Sequence, residues 1–311
     1  MNSMNCQPIS RRRLLGTALS AAGALALPRL GFGAAADAAQ SLGAALTLLM
    51  DTGSNVLVLE TREGLVLVDS GAAAGVEVLL SRLDTLGGKA PKALFNTHWH
   101  EEHVGGNAAL GERGAEIIAH AKTRAHLATD YYLPHEERYH RALPQAGIPV
   151  TTFHTDDSRD IGDNRIDYGY LRQAHTDGDI YVFLREQNVL AVGDVVSPLL
   201  DPAIDWYGGG WLGGRVDAMD QLLAMADADT RIVPGTGPVL SRAQLQAERD
   251  LMGFLYEKTV DLMREGKSAQ QMLEEGLMDS LPRRFADPYR FLYDNYKGLW
   301  AHHNKLAPNV V

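Results

Sequence analysis

The chain has 311 residues, a hydrophobic content of 45% and a formal net charge of −10 at pH 7. This length and apolar content suffice for one large domain, or two ordinary domains, with a buried core. The acidic charge argues against polyanionic partners, so we expect binding neither to nucleic acid nor to an anionic membrane surface. A small-molecule partner is the remaining expectation.

Residues 1–36 have the pattern of an export signal. Three arginines at positions 11–13 precede an apolar, alanine-rich run, and small residues at 34–36 offer a cleavage site before Asp37. The adjacent arginines are typical of a twin-arginine signal, which exports folded proteins, and they predict a periplasmic or secreted protein. A retained membrane anchor is the alternative, although the apolar run is shorter than a bilayer requires.

Removal of this signal changes the charge and the available ligand types. Residues 1–36 contain four arginines and no acid, so cleavage moves the net charge from −10 to about −14. The only cysteine, Cys6, leaves with the signal. The mature protein therefore has no disulfide and no thiolate ligand, and any metal must be held by His, Asp and Glu. We expect no stable membrane insertion after cleavage.

Short apolar runs separated by turn residues predict strands in the first half of the mature chain. These runs cover residues 45–50, 55–60 and 64–71, and a helical pattern follows over about 73–87. The run ALFNT then leads into the histidine-rich segment THWHEEHVGGN, residues 97–107. A further buried strand is expected in AEIIAH, with a helix in the KTRAHLATDYY that follows.

Strands return from residue 164, in RIDYGYL, DIYVFLRE and NVLAVGD, and a helix around 217–227 precedes the apolar RIVPG. This repetition predicts an α/β fold in which two sheets pack together with helices outside. Beyond residue 240 the pattern is helical, because two Ser-x-x-Gln sequences fit capping boxes and Asp-Pro at 287–288 fits a helix start. We expect a main domain over residues 37–240 and a C-terminal helical extension over 241–311.

The segment THWHEEHVGGN concentrates metal-ligand chemistry. His98 and His100 are two residues apart, so at the end of an extended strand both side chains point to the same face. Glu102 and His103 follow where the chain begins to turn. Because imidazole is the commonest transition-metal ligand, this spacing predicts a metal site rather than a solvated polar loop.

Three further candidates lie at the ends of predicted strands. They are His175 in AHTDGD, Asp194 in AVGD and Asp69 in VDSG. Each alone has a structural explanation, since carboxylates cap turns and a single histidine is usually packed or solvated. Their recurrence at strand ends, where sites in α/β proteins gather, favours one shared site.

The motifs VLVDSG, NTHWHEEHVGGN, AHTDGD, AVGD and RIVPGTGPV together resemble those of the metallo-β-lactamase superfamily, over residues 45–240. The resemblance implies an αββα sandwich of two ββα halves with one or two zinc ions at the sheet edge. By this resemblance the first zinc is held by His98, His100 and His175. Asp194 would bridge to a second metal, to which Glu102 and His103 would belong.

Two positions depart from the family pattern. Glu102 stands where aspartate is usual, and Thr236 in PGTGP stands where histidine is usual. A neutral hydroxyl is a poor zinc ligand beside imidazole, so we expect one tight zinc and a second that is weak or conditional. The resemblance also implies that Asp69 orients the motif loop through hydrogen bonds.

These residues predict a zinc-dependent hydrolase of an amide or ester bond, β-lactams included. A zinc ion on three imidazoles lowers the pKa of its water to about 7, and Glu102 or Asp194 would position that water and move a proton. A substrate loop is expected around Trp206, Tyr207 and Trp211. Packing of these aromatic rings on the C-terminal helices is an equal alternative.

Two other functions stay open at this point. The same scaffold supports mononuclear iron oxygenases of the persulfide type, which bound iron and oxygen consumption would distinguish. An exported, non-catalytic metal- or ligand-binding protein is the second, and Thr236 permits it. Tight binding without turnover on a panel of chromogenic substrates would favour that binder.

Overall fold

The computed structural model describes residues 38–43, 45–86, 88–133 and 137–304. The predicted export signal therefore lies outside the described residues. Within the described part, no helix combines the length and apolar character needed to span a bilayer.

Two large β-sheets carry the fold. The first has the strand order β1-β2-β3-β4-β5-β6-β9, antiparallel as far as β4 and parallel from β4 to β9. Its strands are β1 (Ala39–Ser41), β2 (Leu46–Leu49), β3 (Val56–Thr61), β4 (Gly64–Val68), β5 (Pro91–Phe95), β6 (Glu116–His120) and β9 (Thr151–Phe153). The predicted strands 45–50, 55–60 and 64–71 are thus confirmed as β2, β3 and β4.

The second sheet has the order β10-β11-β12-β13-β14, and only its last pair is parallel. Its strands are β10 (Asp156–Ile161), β11 (Asn164–Tyr170), β12 (Ile180–Leu184), β13 (Val189–Gly193) and β14 (Arg231–Pro234). A separate hairpin pairs β7 (Tyr131–Leu133) with β8 (Arg138–His140). Its first strand begins at Tyr131, within the segment KTRAHLATDYY that the sequence predicts as helical.

Alternation of side chains along the strands separates two faces of each sheet. In β3, Leu57 and Leu59 belong to the core between the sheets, whereas Val56 and Val58 pack toward the outer helices. In β12 and β13 the same alternation separates the core between the sheets from a cluster that includes the C-terminal helices. Since successive strand residues point to opposite faces, the central strands of both sheets are buried on both sides.

Helices cover the two outer faces. The bounds are α1 (Val76–Thr85), α2 (Glu101–Val104), α3 (Asn107–Glu112), α4 (Ala121–Leu127), α5 (Leu212–Met225), α6 (Arg242–Arg264), α7 (Ala269–Glu274) and α8 (Pro288–Asn304). Leu79 of α1 and Leu110 of α3 pack on the first sheet, while α5 and α6 pack on the second. The αββα sandwich expected from the sequence is confirmed, as are its C-terminal helices.

The starts of the three C-terminal helices follow from local sequence. The side chains of Ser241 and Ser268 each accept the backbone N–H of the glutamine three residues on. The side chain of that glutamine accepts the backbone N–H of the serine, so both capping boxes form. Asp287 accepts the N–H of Arg290 at 2.9 Å, and Pro288 occupies the first helical position.

Candidate metal centre

The candidate ligands lie where strands of both sheets end. Thr97 and His98 follow β5, Asp69 follows β4, and Asp194 follows β13. Carboxyl ends of parallel strands gather at one edge, which is where α/β folds bind ligands. The two sheets meet there, since the Ile180 N–H donates to the Thr97 carbonyl at 2.8 Å.

Five side chains from this edge form two overlapping groups with metal-ligand spacing. His98, His100 and His175 make the first group, and His98, His103 and Asp194 make the second. Within each group the ligand atoms lie within 4.8 Å of one another. The structure therefore brings together the predicted first-metal histidines, the predicted bridging aspartate and one predicted second-metal histidine.

Each imidazole is oriented through its other ring nitrogen. His98 Nδ1 lies 3.1 Å from Thr97 Oγ1, whose hydroxyl donates to Asp69 Oδ2 at 2.7 Å. His103 Nδ1 lies 2.8 Å from the same Asp69 oxygen. With the proton on Nδ1 in both rings, the two Nε2 lone pairs point into the cluster. Asp69 thus makes the orienting hydrogen bonds that the resemblance implies.

The other two rings are held by the loop that follows β13. His175 Nδ1 lies 3.0 Å from the Ala203 carbonyl oxygen, and His100 Nε2 lies 3.1 Å from Asp205 Oδ2. The remaining nitrogens, His175 Nε2 and His100 Nδ1, face each other at 3.0 Å. Carboxylate and carbonyl partners of this kind fix the tautomer of metal-binding histidines.

The donor set fits a zinc ion. His98 Nε2 and His103 Nε2 are buried and have no hydrogen-bond partner among the described residues. His103 Nε2 lies 3.4 Å from Asp194 Oδ1. Imidazole nitrogens and carboxylate oxygens are the ligands that zinc takes in catalytic sites, and here each imidazole is held by an outer partner. Such lone pairs gathered in one buried place are stabilised by a cation.

Electrostatics favour the metal-binding protonation state in three of these groups. Burial lowers the pKa of His98 well below its usual value, and His103 adds to this effect. Burial also lowers the pKa of His175 to about 3. Although burial opposes it, the nearby His103 holds the pKa of Asp194 well below its ordinary range. At neutral pH His98 and His175 are thus neutral imidazoles, and Asp194 is a carboxylate. In the other two groups, although burial opposes it, Asp194 raises the pKa of His103 well above its usual value and Asp205 raises the pKa of His100.

The two positions that depart from the family pattern lie beside this cluster. Glu102 is exposed and lines the adjoining cavity, outside both ligand groups. Thr236 is half-buried and follows Gly235, where a Cβ would lie 2.1 Å from Asp194 Oδ1 and 2.6 Å from His103 Cε1. Only glycine fits at this close approach of the β14 turn to the cluster.

A cavity of about 240 Å³ opens next to His100. Its walls come from the β7–β8 hairpin, the loop after β13 and the helix α8. Trp206 lines this cavity, and its Nε1–H donates to Asp294 of α8 at 3.1 Å. Tyr207 lines a neighbouring cavity with Trp99.

Trp211 instead stacks on His302 of α8, with ring centroids 3.7 Å apart, and so occupies the packing position that the sequence left as an equal alternative.

A family model described as the metallo-beta-lactamase superfamily matches residues 49–236. The chain belongs to the metallo-β-lactamase superfamily. A metallo-β-lactamase type 2 of Bacillus sp. (strain 170) is 28% identical over 204 residues, 64% of this chain and 72% of that protein. A second, from Bacillus cereus, is 26% identical over 200 residues, 64% of this chain and 73% of that protein.

Solved structures of the superfamily share the fold. A metallo-β-lactamase from Pontibacter korlensis is 22% identical with a TM-score of 0.58, covering 69% of this chain and 98% of that one. A stereoselective inverting sec-alkylsulfatase from Pseudomonas sp. is 16% identical with a TM-score of 0.62, covering 88% of this chain and 50% of that one. The chain thus spans about half of the alkylsulfatase. These structures share the fold of this chain, and within its described residues this chain places four histidines and Asp194 in one cluster.

Two residues of this site are absent from the sequence-based prediction. Asp205, which holds His100, lies 105 positions from it in the chain. Arg215 is 1% exposed and donates to the main chain around Asp194. A polar residue among aromatics and glycines in DWYGGGW is the signal that could have indicated Asp205. For Arg215, a lone arginine in an otherwise apolar helix start is the corresponding signal.

Proposed function

We propose that this protein is an exported zinc hydrolase that cleaves an amide or ester bond in a small molecule. The observation that carries the proposal is the cluster of four imidazoles and Asp194, in which each ring has one nitrogen held and the other directed inward. His98, His100 and His175 would hold the first zinc. Asp194 and His103 would serve a second, weaker one, with Glu102 within the adjoining cavity.

Bound zinc supplies Lewis acidity and lowers the pKa of water to about 7, so that hydrolysis proceeds at neutral pH. The chain's own residues would do the rest. Asp194, whose carboxylate is kept ionised by His103, would accept a hydrogen bond from the attacking water and so orient the proton that leaves it. Glu102, exposed at the cavity wall, would carry that proton to and from solvent. Trp206 and the α8 side chains would orient the substrate.

The relatives support β-lactam hydrolysis as the first substrate class to test. Two metallo-β-lactamases match over 64% of the chain, at 28% and 26% identity. The acidic mature chain and its predicted twin-arginine signal support a periplasmic or secreted enzyme acting on small molecules. Substrates are therefore best sought among lactams, lactones and thioesters.

Sulfate-ester hydrolysis is a second candidate, favoured by the helical extension. Likeness to the sec-alkylsulfatase covers 88% of this chain, which is more than the 69% covered by the β-lactamase structure. Two arginines line the cavity beside His100: Arg138 of the hairpin, which pairs with Glu101, and Arg290 of α8, which pairs with Asp294. Guanidinium groups bind anionic oxygens in a fork geometry.

One experiment tests both candidates. Protein lacking residues 1–36 is analysed for zinc and iron, then assayed with chromogenic lactams, lactones, thioesters, phosphoesters and alkyl sulfates before and after chelation. We expect at least one zinc per chain and turnover that chelation abolishes and zinc restores. Bound iron with oxygen consumption would favour the oxygenase instead. Zinc binding without turnover on any substrate would favour the non-catalytic binder, and full activity after metal removal would contradict the proposal.

A further inference from the structure

The loop between β13 and α5 carries much of the candidate metal centre. It begins at Asp194, includes Ala203, which accepts from His175, and reaches Asp205, which holds His100. Between Gly193 and Leu212 the chain forms neither helix nor strand. Its shape must therefore be fixed by side chains, because no helical or sheet hydrogen bonds repeat along it.

Arg215, in the first turn of α5, lies beneath this loop and is 1% exposed. Its Nε–H donates to the Val195 carbonyl at 3.0 Å, one Nη to the Ala203 carbonyl at 2.8 Å and the other Nη to the Asp194 carbonyl. One planar guanidinium thus joins the start of the loop, at Asp194 and Val195, to its middle, at Ala203. The Ala203 oxygen that it binds is the same atom that holds His175 Nδ1.

Burial of the Arg215 guanidinium costs desolvation free energy, so its buried position needs a structural reason. Among the described residues, the guanidinium donates only to main-chain carbonyls, and Asp194, Asp179 and Glu248 act on it as nearby charges without an ion-pair contact. A buried charge without an ionic partner normally destabilises a protein, so a hydrophobic side chain would serve packing better. A fixed cation also opposes a nearby metal ion. What the guanidinium contributes is the fork geometry that spans three acceptors.

From these contacts we propose that Arg215 is a positioning residue that sets the relative placement of Asp194 and His175 for metal binding. The inference rests on the proposed zinc site. Loss of the fork would let the start and the middle of the loop separate, so that the Asp194 carboxylate and the Ala203 carbonyl that holds His175 would move independently. Metal affinity would then fall although all five ligands are still present.

Arg283 offers a matched control from the same loop. It donates to the Ser197 carbonyl at 2.8 Å and to the Leu200 carbonyl at 3.0 Å, so it also holds this loop through the main chain. These acceptors lie between Asp194 and Ala203 and are not in either ligand group. If zinc affinity fell only because the loop became looser, replacement of either arginine should therefore lower it.

The test compares Arg215→Lys, which keeps the charge but loses the fork, with Arg283→Lys. Zinc affinity is measured by calorimetry, the d–d spectrum is recorded with cobalt in place of zinc, and the metal-free forms are compared by thermal unfolding. We expect Arg215→Lys to bind zinc about 10- to 100-fold more weakly, with an altered cobalt spectrum. Arg283→Lys should keep both properties within about two-fold of wild type, at a similar cost in unfolding temperature.

Each result of these measurements supports or contradicts the positioning role of Arg215 or the proposed zinc site. Equal zinc affinity and cobalt spectra in Arg215→Lys and wild type would overturn the positioning role, as would an equal loss in Arg283→Lys. Wild type that binds no zinc would overturn the proposed function itself. If Arg215→Lys does not fold, the arginine Nε–H resonances of wild type are followed during zinc addition. A shift at Arg215 without one at Arg283 supports the role, and no shift at Arg215 contradicts it.

Discussion

Asp205 orients a candidate metal ligand without belonging to the ligand set itself. Its Oδ2 holds His100 Nε2, while its Oδ1 accepts the Gly208 N–H at 2.7 Å. Asp205→Asn retains an oxygen for Gly208 but replaces the acceptor for His100 with an amide donor. We expect zinc affinity to fall about 10- to 100-fold, measured by competition with a chromogenic chelator.

The control for this change is Asp201→Asn in the same loop. Asp201 accepts the N–H groups of Ala286 and Asp287, ahead of α8, and holds no ligand. Zinc affinity should stay at the wild-type value in this variant. Unchanged affinity in Asp205→Asn would show that His100 is oriented by other contacts.

Thr236 is the side chain whose replacement should strengthen the second metal site. The turn that carries it approaches both Asp194 and His103 at Gly235. Thr236→His introduces an imidazole there, so the second zinc should bind more tightly, with the first unaffected. Calorimetric zinc titration of both proteins measures this. Two equally tight zinc ions in wild type would contradict the assigned weakness of that site.

Asp179 predicts a pH dependence of stability. It is buried, it accepts the N–H and the hydroxyl of Thr176, and burial raises its pKa to about 7. A raised pKa stabilises the folded protein below the unfolded-state pKa of about 3.9, and this stabilisation is lost as pH rises through 7. Three pKa units correspond to roughly 4 kcal/mol.

Urea unfolding of metal-free wild type and Asp179→Asn between pH 4 and pH 8 tests this prediction. Because asparagine does not titrate, the variant should gain unfolding free energy relative to wild type as pH rises. Asp163→Asn, at an exposed carboxylate, should follow wild type throughout. A difference between Asp179→Asn and wild type that is constant over this range would contradict the raised pKa.

The helix α8 lies outside the matched family region yet forms part of the cavity wall. Asp294 accepts from Trp206 and from Arg290, so it connects this helix to the loop after β13. Asp294→Ala should raise KM for the best substrate about 10-fold and leave zinc content unchanged, because α8 shapes the cavity without supplying a ligand. Steady-state kinetics with parallel zinc analysis measure both quantities.

A matched change on the same helix is Tyr289→Ser, at an exposed ring outside the cavity lining. Its KM should equal that of wild type. If Asp294→Ala lowers zinc content as well, or leaves KM unchanged, α8 does not act on the substrate in the way described.

Elements with a strong local pattern were predictable, and those defined by long-range contacts were not. The capping boxes at Ser241 and Ser268 depend on neighbouring residues, and both formed. The strand β10, DDSRDI, is mostly exposed at a sheet edge and lacks an apolar signal. The helix α5 begins at Leu212 rather than near 217, and Gly213 and Gly214 in its first turn weaken the helical pattern of the sequence. Glycine is required at 214, because a Cβ there would lie 2.2 Å from the Gln173 carbonyl oxygen.

For the molecule as a whole, the order of the helix and sheet layers was predictable from the sequence. The hydrogen bonds that hold the metal cluster in place were not. Repeated strand and helix patterns predicted the αββα sandwich, and the strand-end motifs placed the ligands at one edge. Asp205 and Arg215 act across the loop after β13, through partners far along the chain or through main-chain carbonyls. Such contacts have no spacing that a sequence pattern could show. The domain boundaries at 37 and 240 stay predictions.

The central claim is that the inward-facing nitrogens of His98, His100 and His175 hold a zinc ion. Crystals of the protein lacking residues 1–36, grown with zinc, allow anomalous difference maps to be recorded on both sides of the zinc absorption edge. We expect a strong peak within bonding distance of His98 Nε2, His100 Nδ1 and His175 Nε2, and a weaker peak beside His103 and Asp194 that grows with zinc concentration. Absence of a peak at the three histidines, or full occupancy only elsewhere, would contradict the claim.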